Sequence, residues 1–224
     1  MMDLPSVTTD QMREVDRIMV EDLGIDLTRM MEHAGAGLAR LAVERFSPGS
    51  VLVLAGVGGN GGGGLVAARH LANRGVEVTV VLANEDLADV PTVQASILRA
   101  MGVPFATEPV DADLVIDALI GYSLSGDPRD RAAELIEWAN HQPSPVLSLD
   151  VPSGLDTGVG LIGDPCIRAT ATMTLALPKT GLGLAPTVVG ELYVADIGVP
   201  PSVYAAFGLE VEDPFGDGPV VGVG

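Results

Sequence analysis

Cysteine is almost absent from this 224-residue chain: Cys166 stands alone, which excludes an intrachain disulfide and a cysteine-based zinc site. Such cysteine usage suits a reducing compartment. Long apolar runs are missing too. Hydrophobic residues make up 47% of the chain, yet no run reaches the roughly 18 to 20 residues that cross a bilayer. The opening "MMDLPSVTTD" is acidic and polar and lacks the basic-then-apolar order of a secretory signal. The expectation is a cytoplasmic protein. Basic charge is scarce, with 12 Lys and Arg against 30 Asp and Glu and a formal net charge of -18. A surface of that sign repels nucleic acid and anionic membranes and disfavours both as partners. Lysine is scarcest of all, since Lys179 is the only one and every other basic residue is arginine. Such a composition fits a salt-adapted or a GC-rich source and says little about function.

What is present reads as one α/β domain, 1–224, because this length buries a full core and no linker or repeat divides it. Residues 1–48 read as paired N-terminal helices. Thr8 lies three residues before Gln11, a capping-box spacing, and Met12, Val15, Ile18 and Met19 recur at helical intervals. Gly24 ends this helix and Asp26 can cap the next, whose Gly35 and Gly37 suggest close packing. His33 on that helix is expected to be structural or superficial rather than catalytic. From Val51 to about residue 200 apolar strands alternate with helices. The series is "VLVLA", a glycine loop, a helix Leu65–Asn73, "EVTVVLA", a helix over "PTVQASILRAMG", "DLVIDAL", a helix over "RDRAAELIEWAN", "PVLSLD", "TATMTLALP" and "GELYVADIG". Continuous apolar strands between helices argue for a parallel sheet covered on both faces. Residues 209–224 show little periodicity and read as a flexible tail or a strap.

Ligands of open parallel sheets bind outside the carboxyl ends of the strands. That rule sorts the polar residues: the glycine loop follows "VLVLA", Asp117 follows "LVI", Asp150 follows "VLSL", and Lys179 follows "TATMTLALP". A backbone cradle, two carboxylates and the only lysine therefore converge on one sheet edge.

Only Val57 and Asn60 interrupt the glycines between Ala55 and Leu65. Gly56, Gly58 and Gly61 satisfy G-x-G-x-x-G, a weak signal where glycine is this abundant. A dinucleotide dehydrogenase also wants an acid at the end of the second strand, where this chain has Asn84 and only then Glu85. No Gly-Lys-Ser/Thr ending is present, so a phosphate-loop NTPase is excluded. A plain turn is disfavoured, since each glycine costs about 0.5–1 kcal/mol of ordering relative to alanine. Exposed amides at a helix start suit a phosphate instead. The loop "LIGYSLSGDPRDR" offers Gly121, Ser123, Ser125 and Gly126, equally readable as a pyrophosphate cradle or as a helix-capping turn. Asp150 and Ser153 have a spacing that would let both oxygens face one cation, although an aspartate there can simply cap a turn. Asp156 reads as a turn former. Lys179 is either a surface residue or a place where a compact ammonium is required.

In this order the segments "MREVDRIMVEDLGIDLTRMMEHAG", "AGVGGNGGGG", "DALIGYSLSG", "LDVPSGLDTG", "LPKTGL" and "GELYVADIGVP" resemble the YjeF N-terminal domain family of NAD(P)HX epimerases, from about Thr8 to Pro200. The resemblance implies a Rossmann-like three-layer α/β/α sandwich with a mostly parallel central sheet, commonly dimeric. It implies interconversion of the R and S forms of hydrated NADH or NADPH (NADHX, NADPHX), coupled to a separate NAD(P)HX dehydratase. The family's glycine motif reads Gly-x-Gly-Asn-Asn-Gly-Gly-Asp-Gly; here Gly59 and Gly63 stand where it has Asn and Asp, and Tyr122 and Ser123 where it usually has Thr-Gly. Carried over by position, substrate would meet Gly59, Asn60, Gly61, Gly62 and Gly63, then Gly121, Tyr122, Ser123, Leu124, Ser125, Gly126 and Asp127, and Asp150. Potassium (K+) would be held by Asn60, Asp117 and Ser153. Asp150 would be catalytic, exchanging a proton or stabilising a cationic intermediate, with Lys179 assisting proton transfer or anchoring phosphate. With Gly59 and Gly63 in place of the motif's asparagine and aspartate, the alternative is a catalytically inactive nucleotide-binding or scaffold module.

Overall fold

The computed structural model describes residues 4–211, 214–216 and 218–223. Helix α1 (Thr9–Arg17) starts on the expected capping box: the Gln11 amide donates to Thr8 Oγ1, and the Thr8 amide donates to Gln11 Oε1. It continues through a π turn, Ile18–Asp22. Asp26 caps α2 (Leu27–Phe46) by accepting from the Arg29 amide.

The sheet holds seven strands in the order β2-β1-β3-β4-β5-β6-β7. They are β1 (Ser50–Ala55), β2 (Glu77–Leu82), β3 (Leu114–Ala118), β4 (Val146–Leu149), β5 (Ala171–Leu175), β6 (Glu191–Ala195) and β7 (Val220–Val223). Strands β1 to β6 pair in parallel. Between them run α3 (Gly59–Ala72), α4 (Asp89–Ala100), α5 (Asp130–Asn140) and the short α6 (Pro186–Val189), and α7 (Pro201–Ala205) follows β6. Leu52, Leu54 and Val115 belong to one apolar cluster, and Val51, Val53 and Ile116 to another. Alternate residues of β1 and β3 thus serve opposite faces, as a sheet covered on both sides requires.

Two expectations need correction. The glycine stretch is not a loop before a helix at Leu65: α3 begins at Gly59, so most of it forms the first turns. Packing overrides the low helix propensity of glycine here. A Cβ on Gly64 would lie 2.4 Å from Ala118 Cβ, and one on Gly61 would lie 1.9 Å from the Gly56 carbonyl oxygen. The bare face lets α3 press onto the sheet. The second correction concerns the tail. Val220–Val223 is no flexible end but an antiparallel seventh strand, with Val220 opposite Ala195 and Val223 opposite Leu192. It covers what would otherwise be the open edge of β6. Glu212, Asp213, Asp217 and Gly224 lie outside the described residues.

Candidate functional site

The chain runs from β1 outward to β2, then returns past β1 to β3, so the strand order reverses between β1 and β3. Connections on either side of such a switch leave in opposite directions and open a crevice at the carboxyl ends. A cavity of about 410 Å³ occupies that place, within the range of small-molecule sites. Four sheet connections line it: Val57–Asn60 after β1, Leu119–Ser123 after β3, Asp150 after β4, and Lys179 after β5. The N-terminal helices close it with Met12, Asp16, Leu27, Met30 and Met31.

At the floor lies a buried ion pair. Asp150 has φ of 67°, a left-handed conformation that aspartate tolerates and that marks functional strain elsewhere. The kink turns its carboxylate off the end of β4. Lys179 Nζ donates to Asp150 Oδ1 at 2.5 Å, to the Leu175 carbonyl at 2.8 Å and to Thr174 Oγ1 at 3.2 Å. An ammonium has three protons, so all are engaged. The lysine side chain is fully buried. The expected freedom of Lys179 to anchor a phosphate is therefore not what the geometry provides; it holds Asp150. Asp150 Oδ2 accepts the Tyr122 amide at 3.1 Å and keeps acceptor capacity toward the cavity.

Asp117 lies deeper, inside β3 and fully buried. Its Oδ1 accepts from Ser153 Oγ at 2.6 Å and the Leu119 amide at 3.2 Å, and its Oδ2 from Ser148 Oγ at 2.8 Å and the Ser153 amide at 2.9 Å. Burial pushes its carboxyl above the ordinary carboxylate range, and these four donors pull it back. Ser153 Oγ also accepts the Ile120 amide at 2.8 Å, which fixes the turn beneath the cavity. The two oxygens of Asp150 face Lys179 and Tyr122 rather than a site shared with Ser153, which pairs with Asp117 instead.

Asn60 lines the cavity from the first turn of α3, beside Gly121. Its buried Nδ2 has no hydrogen-bond partner among the described residues. Rotated by half a turn, Asn60 presents an oxygen. An amide oxygen there would share its donor chemistry with the Asp117 carboxylate and the Ser153 hydroxyl, and oxygen donors of this kind suit a hard cation.

The glycines divide into two groups. Gly59 lines the cavity, and a Cβ there would meet only the Leu27 methyls at 3.5 and 3.7 Å. Gly61, Gly62 and Gly63 are buried in packing. A Cβ on Gly62 would approach Val90, and one on Gly63 would lie 2.7 Å from Leu149 Cδ2 and 3.4 Å from Met31 Sδ. Of the second loop, Gly121, Tyr122 and Ser123 line the cavity. Leu124, Ser125, Gly126 and Asp127 run along the surface beyond it, and Asp127 accepts the Asp164 amide at 3.1 Å. His33 is exposed, and Asp156 accepts the Gly158 amide at 2.8 Å in the expected turn. Glu85 pairs with Arg99 at 3.0 Å.

Sequence reasoning missed the N-terminal wall. Val7 is bridged to Lys179, donating to the Pro178 carbonyl at 2.9 Å and accepting the Thr180 amide at 3.0 Å, which lays α1 over the cavity. Asp16 on that helix accepts from the Tyr122 hydroxyl at 2.6 Å. The available signal was a carboxylate in an apolar stripe, four residues after Met12 and three before Met19.

The sequence matches the family described as YjeF-related protein N-terminus over residues 27–181. It is 48% identical to a protein of Dehalogenimonas lykanthroporepellens named NAD(P)H-hydrate epimerase, over 91% of this chain and 86% of that one. A Rhodopirellula baltica protein of the same name is 36% identical, over 92% and 89%. A bifunctional NAD(P)H-hydrate repair enzyme of Salinibacter ruber is 37% identical over 89% of this chain, which spans only 42% of that longer protein. The crystal structure of yeast ynu0 superposes with a TM-score of 0.86 at 25% identity, covering 98% of this chain and all of the other.

Proposed function

We propose that this chain, which belongs to the YjeF-related protein N-terminus family, is an epimerase that interconverts the R and S forms of hydrated NADH or NADPH. The observation that carries the reading is the Asp150–Lys179 pair at the floor of the cavity. Epimerisation at the carbinol carbon proceeds most simply by loss of hydroxide to a ring iminium and readdition on the opposite face. A cation develops on the ring, and Asp150 provides a fixed negative charge and a proton-accepting oxygen. Lys179 holds that carboxylate in place. Its own protons are saturated, which keeps the Asp150 side chain from rotating away.

The nicotinamide half of the substrate occupies the cavity in this reading. The free amides at the start of α3, around Gly59 and Asn60, receive a phosphate. The pyrophosphate and the rest of the nucleotide extend across Gly121, Tyr122 and Ser123 toward the rim at Leu124–Asp127. Potassium would be held by Asn60, Asp117 and Ser153. Its contribution is electrostatic and organisational, tying together the connections after β1, β3 and β4. The chain works as a homodimer and hands its product to a separate NAD(P)HX dehydratase, a pairing that the fused repair enzymes among its relatives suggest.

The test is a coupled assay. An S-specific dehydratase first exhausts its epimer from an NADHX mixture in potassium buffer; this protein is then added and NADH absorbance is followed. The expected result is renewed conversion far above the spontaneous rate. Conversion at the spontaneous rate by folded protein, with salt varied, overturns the reading.

A further inference from the structure

A second carboxylate faces the same cavity from the N-terminal helices. Asp16 projects from α1, and Asp150 stands at the end of β4. Tyr122 spans the two, its amide on Asp150 Oδ2 at 3.1 Å and its hydroxyl on Asp16 Oδ2 at 2.6 Å. The carboxylates are thus held apart by about the length of one tyrosine. Tyr122 is itself fixed, because its carbonyl accepts from Thr157 Oγ1 at 3.2 Å and Lys179 Nζ lies 5.9 Å from its ring centroid. An inversion at carbon needs proton transfer on two faces, and a single fixed carboxylate reaches only one.

We propose that Asp16 is the second acid–base residue of the epimerase, acting on the face of the nicotinamide ring opposite Asp150, with Tyr122 as the residue that positions it. The inference rests on the epimerase reading above. In one direction protonated Asp16 gives its proton to the departing hydroxyl. The C–O bond breaks, its electron pair leaves with oxygen as water, and the ring is left as the iminium. Water on the other face attacks the same carbon, a new C–O bond forms, and the surplus proton passes to the Asp150 carboxylate. One proton has moved from Asp16 to Asp150, and it returns in the reverse reaction or through solvent.

The surroundings of Asp16 suit the part. Burial raises its carboxyl above the ordinary range, the Tyr122 hydroxyl and the more distant Lys179 ammonium oppose that rise, and Asp150 adds to it. Among the described residues no other charged group lines the cavity: α2 contributes Leu27, Met30 and Met31, the β1–α3 connection Val57–Asn60, and the segment after β6 Ile197. Arg13, on the same helix, is paired with Asp10 at 3.0 Å. Activity requires one carboxyl protonated and the other ionised, which gives a bell-shaped profile. Its alkaline limb reports loss of the Asp16 proton. The Tyr122 hydroxyl bond favours the carboxylate, so removing it moves that limb to higher pH.

The experiment measures kcat, KM and pH profiles in the coupled assay, and melting temperatures, for wild-type protein and for Asp16→Asn, Asp16→Glu and Tyr122→Phe. The expected result is a loss of kcat of about 10²-fold or more in Asp16→Asn, with KM little changed and the alkaline limb gone. Asp16→Glu recovers part of the rate, and in Tyr122→Phe, whose rate falls because Tyr122 also meets the substrate, the limb is displaced upward. Should Asp16→Asn fail to fold, the limb shift in Tyr122→Phe and the partial rate of Asp16→Glu carry the test. A kcat for Asp16→Asn within threefold of wild type, or an unmoved alkaline limb in Tyr122→Phe, overturns the assignment while leaving the epimerase reading intact. An inactive wild-type protein overturns both.

Discussion

Lys179 commits all three of its ammonium protons inside the protein. The side chain is buried with Asp150, Thr174 and the Leu175 carbonyl as its acceptors, so its role is to hold an anion rather than to meet a ligand. Removing one partner of a buried pair costs about 3–5 kcal/mol, because the other is left uncompensated. Lys179→Met, which keeps the volume and deletes the charge, should lower stability by about that amount in urea denaturation and lose epimerase activity. Unchanged stability would mean that the pair is not formed in solution. The importance of Lys179 was legible in sequence because it is the only lysine, but its acceptors were not. They come from β5 and from the end of β4, brought together by strand order. Asp16 was less legible still: its place in the apolar stripe between Met12 and Met19 is the local mark that sets it apart from the exposed acids nearby, Asp10 and Glu21. Its burial depends on the Val7 bridge to the Lys179 turn.

At the scale of elements, α3 explains the glycine-rich stretch and separates its two departures from the family motif. Gly59 opens on the cavity and Gly63 on the core between Leu149, Met31 and Ala34. Restoring asparagine at position 59 should therefore be tolerated, changing stability by less than about 1 kcal/mol. Gly63→Asp should cost about 3 kcal/mol or more, since it overpacks the interface and buries an unpaired charge. Thermal melts of the two variants check the contrast, and equal stabilities would contradict this division of the helix. The stretch was readable as a ligand cradle but not as a helix, because glycine has low helix propensity and the surfaces that compensate lie on Gly56, Ala118 and Gly35. Strand β7 was hidden for a similar reason: "VVGV" is short and aperiodic, and only the free edge of β6 gives it a partner.

For the whole molecule, the alternation of apolar strands and helices carried the fold class, and strand-end positions carried the convergence of Asp150, Lys179 and the glycine stretch. The reversal of strand order between β1 and β3 was out of reach of pattern, yet it decides where the crevice opens. The same topology sets Asp117 and Ser153 behind the cavity and Asn60 in its wall. None of the helices is long and apolar enough to cross a membrane among the described residues.

The central claim is that this cavity equilibrates two epimers, and the most direct measurement needs no coupling enzyme. R-NADHX isolated by chromatography is mixed with the protein in potassium buffer, and the appearance of the S peak is followed against a protein-free control and against Asp150→Asn. The account predicts rapid approach to the equilibrium mixture with wild-type protein, and a rate at least about 10²-fold lower with Asp150→Asn. An S peak that grows no faster than in the control, or as fast with Asp150→Asn as with wild type, would contradict it.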